Sequence, residues 1–116
     1  MKLTRLYVSG RDIGVNVSVT ETTRERMRGL LGRDHLPLDE ALLIKRCWSV
    51  HTFGMGFAID VLFLDRHQRV VAIHRDVPKR RMLFNLRATQ TLELPAGSAG
   101  RHQLSVGASL VLKAST

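Results

Sequence analysis

The chain has 116 residues, 44% hydrophobic and 24% charged, a globular composition at the size of one ordinary domain, which excludes wholesale disorder. Its apolar runs fall short of the ~20 residues of a membrane span, the first ten residues lack the apolar core of a secretory signal, and the lone Cys47 excludes an internal disulfide or a multi-cysteine zinc site. The net charge of +8 is uneven, with nine bases against eight acids in residues 1–65 and nine against Asp76 and Glu93 in 66–116, which points to an anionic partner but has no bearing on fold. A cytoplasmic domain over residues 1–116 is the expectation.

Leu3, Leu6 and Val8 mark a first short strand, and Gly10-Arg11-Asp12 a turn. Ile13, Val15, Val17 and Val19 then alternate with polar or small residues, the period of a strand with one buried face. Thr22 and Glu25 form the T-x-x-E of a capping box. Met27, Leu30 and Leu31 follow as a narrow apolar stripe, and Gly32 supplies a stop before Pro37, predicting one main helix over about 22–32. Ala41–Ile44 suits a buried strand, and Ser49–Phe53 and Phe57–Leu64 are extended stretches around Gly54-Met55-Gly56, read as the two arms of a central hairpin. Asp65–Gln68 reads as a turn and Arg69–His74 as the return strand of a hairpin. The basic stretch 75–87 reads as a long loop. Thr89–Leu94 alternates again, with Thr91 and Glu93 on one face and Leu92 and Leu94 on the other, and Ser109–Lys113 makes the last strand. Seven or so short strands and one helix predict a mainly β, α+β fold: a small antiparallel barrel-like or sandwich sheet.

The helix E-R-M-R-G-L-L-G-R, the central S-V-H-T-F-G-M-G-F-A-I-D-V-L-F-L-D and the late L-E-L-P-A-G resemble, in that order, the domain of unknown function 192 family. The resemblance runs from about residue 15 to residue 112 and implies a compact, mostly β microbial domain with the helix packed on it. It implies no activity.

Polar groups within the central apolar stretch make His51, Thr52, Met55 and Asp60 the candidate ligand-binding residues, for a small molecule or an extended peptide. Asp60 interrupts F-A-I-D-V-L-F-L, so its carboxylate is either a structural clamp or a ligand grip. Two alternatives stand beside this binding module. One is a small hydrolase, through a Cys47–His51–Asp60 relay or a metal; His51, His74, His102, Asp60 and Cys47 are possible ligands but lack a diagnostic spacing, and no metal or cofactor is expected. The other is nucleic-acid or acidic-partner binding through 75–87, with Lys79, Arg80, Arg81 and Arg87 as anion contacts and Phe84 as a stacking platform.

Overall fold

The computed structural model, which describes residues 1–115, starts with a hairpin. Strand β1 (Lys2–Val8) turns through Ser9 and Gly10, both with positive φ, into β2 (Arg11–Val19). Two consecutive left-handed residues give the turn whose twist suits paired antiparallel strands. Helix α1 (Thr23–Arg28) follows, and both arms of its capping box form: Glu25 N–H donates to Thr22 Oγ1 at 3.1 Å and Thr22 N–H to Glu25 Oε1 at 3.1 Å. The helix is shorter than the sequence predicts, because Gly29 (φ 52, ψ −128) ends it three residues before Gly32. That turn carries Leu30 into the core, 2% exposed, and leaves Met27 76% exposed, so the expected apolar stripe is broken.

Seven strands form one sheet in the order β6-β5-β8-β3-β2-β1-β9. Here β3 is Glu40–Lys45, β5 Ile59–Leu64, β6 Val70–Val77, β8 Gln90–Pro95 and β9 Leu110–Ala114. The pairing is antiparallel except between β2 and β3, which run parallel with α1 in the connection between them. The sheet curls until the chain before β6 meets the chain before β9, through an Arg69–Ser109 bridge and backbone hydrogen bonds from Val70 N–H to Ala108 O and from Leu110 N–H to Gln68 O, but it does not close into a barrel. A sandwich-like, mainly β fold results. A two-stranded ribbon, β4 (Ser49–His51) with β7 (Met82–Phe84), covers part of one sheet face. Helix α2 (Ser98–Arg101) is one short turn.

The central strands β3, β5 and β8 are buried on both faces. Alternate residues therefore feed two separate cores. Ala41, Leu43, Leu62, Leu64, Leu92 and Leu94 join Leu6, Val15, Val17 and Leu110 inside the curl. Leu42, Ile44, Val61 and Phe63 face the other way and pack with Leu30, Val50 and Met55 beneath α1 and the ribbon.

Two expectations give way here. Phe57–Leu64 does not return as a hairpin on Ser49–Phe53; β5 lies between β6 and β8, and β4 pairs with β7 instead. A strand whose residues are buried on both faces, Asp60 included, needs cover on each, which its central position gives it. The stretch 75–87, expected as a loop, contains the end of β6 and all of β7.

Candidate functional site

Register fixes where each carboxylate points. Side chains of directly paired antiparallel residues share a face. Asp60 pairs with Leu94, and so it faces the interior of the curl. There it is fully buried, and its carboxylate accepts three backbone N–H groups, from Asp76 at 2.8 Å, Gly97 at 3.2 Å and Ala99 at 2.8 Å. A bulge in β6 turns the Asp76 N–H onto it: β5 pairs Val61 with His74 and Ile59 with Val77, leaving one extra residue on β6. Asp60 is a tether of β6 and of the turn into α2. It does not share a hollow with His51, because the sheet lies between them.

Thr52 is also fully buried and bonded within the protein: its hydroxyl donates to Pro78 O at 2.7 Å and accepts from Arg81 N–H at 2.8 Å. The two remaining candidates, His51 and Met55, do meet. Both line a cleft between the end of α1, the β4–β7 ribbon and the sheet, with a cavity of about 80 Å³. Leu30, Ile44, Val50 and Met55 give it apolar walls, and Arg26 and Arg28 from α1, Cys47, Ser49 and His51 from the ribbon side and Glu93 from the sheet also line it. His51 is exposed and stacks at a tilt against Phe53, ring centroids 6.0 Å apart. The Cys47 thiol donates to Ser49 O at 2.9 Å. Its hydrogen is thus directed to a backbone carbonyl, and with Asp60 on the far face the Cys47–His51–Asp60 relay is not assembled.

Sequence reasoning missed the residue that gives this cleft its chemistry. Glu93, on β8, pairs with Val61 on one side and Leu42 on the other, so it projects on the cleft side of the sheet among apolar neighbours. It is 3% exposed, and its Oε1 has no hydrogen-bond partner among the described residues. Burial alone raises its pKa from 4.5 to about 7, since desolvation disfavours the charged form and no bond compensates. Gly29 leaves room beside it: a methyl there would lie 3.7 Å from Glu93 Oε1. The strand's alternation reads as one buried and one wet face, and this hid a strand covered on both. The available signal was Glu93 in the L-E-L-P-A-G motif, one of only two acids in the basic half of the chain.

Of the basic candidates, Lys79, Arg80 and Arg81 lie exposed between β6 and β7, and Arg87 lies exposed beyond β7. Met82 and Phe84 are 69% and 64% exposed on the outer face of the ribbon. Among the described residues, no three His, Cys, Asp or Glu side chains are grouped closely enough to hold a metal ion. His74 instead packs edge-on against Phe63, centroids 5.6 Å apart. No helix among the described residues is long and apolar enough to cross a membrane.

The model of the domain of unknown function 192 family, described as an uncharacterized ACR, matches residues 5–112. The chain belongs to that family. Among solved structures, the fold of this family member is similar to that of a Sinorhizobium meliloti protein provisionally described as a transcription regulator. The TM-score is 0.83 at 22% identity, over 96% of this chain and 92% of that one. It is also similar to a protein of unknown function from Novosphingobium aromaticivorans, with a TM-score of 0.78 at 20% identity, over 96% of this chain and 84% of the other. At these identities the likeness is one of fold alone. No match was found among curated proteins.

Proposed function

We propose that this member of the domain of unknown function 192 family is a small-ligand-binding module. Its ligand enters the cleft between α1 and the ribbon and presents a cationic N–H group, an ammonium or guanidinium, to Glu93. The observation that carries this reading is Glu93 Oε1, unpartnered among the described residues, at a cavity of about 80 Å³ with mixed polar and apolar walls. Buried polar atoms are nearly always paired, and an exception beside a cavity leaves a position that a partner from outside can fill. A cation brings both missing terms, a hydrogen bond and a charge that restores ionisation of the acid. Met55 and the other apolar walls would hold an alkyl stem, and His51 and Cys47 would stand at the rim. Arg26 and Arg28 oppose a cation, but Arg28 is exposed and Arg26 is turned to Thr23 Oγ1 at 3.0 Å, so solvent screens their repulsion.

The test uses n-butylammonium and n-butylguanidinium as probes, with n-butanol as the neutral control, in thermal unfolding of the whole chain at pH 6 and pH 8. Both cations should raise the melting temperature, more at pH 8 than at pH 6, because a carboxyl raised to about 7 is mostly ionised at pH 8 and mostly protonated at pH 6. Butanol should not do so, and Glu93→Gln should abolish the shift. Equal shifts in wild type and Glu93→Gln, or no shift with either cation, would defeat the reading.

A further inference from the structure

A second concavity lies at the end of the sheet where β2, β3 and β5 finish and β1 and β8 begin, and it has a volume of about 720 Å³. Its lining is polar, and its charges come from segments far apart in sequence: Lys2 on β1, Arg26 on α1, Lys45 and Arg46 at the end of β3, and Arg66 in the turn after β5. Glu21 is the one acid among them, and it lies 3.4 Å from the Met1 amino group. Lys2, Lys45, Arg46 and Arg66 are exposed, and none of them is in an ion pair among the described residues. The backbone beneath them is fixed. Lys45 N–H donates to Thr20 Oγ1 at 3.1 Å, and Gln90 Nε2 to Asp65 O at 3.1 Å, which ties the ends of β2, β3, β5 and β8 together.

We infer that this groove binds the phosphodiester backbone of a nucleic acid, without preference for base sequence. Five bases against one acid in a concave site concentrate positive potential where a polyanion can track. Among the described residues its lining has no aromatic side chain, so it offers no platform for base stacking, and its exposed cations suit phosphate contacts, which carry no sequence information. An anionic bilayer fits less well, since among the described residues Val19 is the only aliphatic one in the lining and interfacial docking requires apolar side chains to insert. The basic stretch singled out in the sequence, Lys79 to Arg87, is not part of this groove, whose charge is assembled by strand order.

A fluorescein-labelled oligothymidylate of about 20 nucleotides, titrated at several salt concentrations, tests the inference. Log affinity should fall with log salt at a slope of roughly −3, the value for four or five phosphate contacts on a single strand. The triple variant K45E/R46E/R66E should lose at least ~10-fold in affinity and about 2 from that slope. The charge-matched variant K79E/R80E/R81E should leave the slope in place, and the neutral set K45Q/R46Q/R66Q should show a smaller loss in the same direction. An unchanged slope in the first variant, or equal losses in both reversals, would overturn the inference. So would capture by phosphatidylglycerol vesicles with no oligonucleotide binding.

Discussion

Glu93 and Asp60 stand on adjacent strands, one residue out of register, and meet opposite fates. Asp60 faces the curl, where three backbone N–H groups converge on it; Glu93 faces the other core, where none does. The sign of its effect on stability follows. In the unfolded chain Glu93 ionises near 4.5, and in the folded one near 7. Between those values the folded state keeps a proton that the unfolded state releases. Stability therefore falls as pH rises from about 4.5 to about 7, by about 3 kcal/mol in total, and levels off above. His102 acts in the opposite sense: its pKa is lowered by burial and by Arg101, so its share of stability is lost as pH falls. Urea unfolding of wild type and Glu93→Gln in parallel separates the two. The variant should lack the downward slope and be the more stable protein at pH 8; an identical pH profile would mean that the carboxyl is not held as described.

At the scale of elements, Asp60 does the work of a connector. One carboxylate holds the bulge of β6 through Asp76 and the turn into α2 through Gly97 and Ala99. Helix α2 has only four residues and Gly97 makes no side-chain cap, so this tether substitutes for capping. Asp60→Ala should cost about 3 kcal/mol, the range for removing a buried charged acceptor from several donors. Amide hydrogen exchange should accelerate first at Asp76 and Ala99. Retained protection at both would assign the loss elsewhere. The sequence showed that this aspartate sits in an apolar strand and needs compensation, with a clamp as one of two readings. The donors were not legible, because they arrive from residues 16 to 39 positions away.

For the whole molecule, the three doubly buried strands matter most. Because β3, β5 and β8 contribute to both cores, neither core can come apart without the other. Leu43→Ala in one and Phe63→Ala in the other should each cost about 3–5 kcal/mol. Both should lower one and the same transition, coincident by near-ultraviolet and far-ultraviolet circular dichroism. Two separated transitions in either variant would show the cores to be independent.

Local patterns in the chain were enough for its mainly β character, the cap of its helix at Thr22 and Glu25, the positions of most strands and the family it belongs to. Each depends on neighbours within a few residues: alternation, a capping box, a glycine or proline. Strand order, the parallel step from β2 to β3, and the pairing of β4 with β7 depend on contacts between distant segments, and there tertiary structure decided. The candidate site divides along the same line. His51 and Met55 could be picked out locally, whereas Glu93 became a site residue only when β8 was covered on both faces. The basic groove, whose cations are gathered from residues 2 to 66, has no local signature at all.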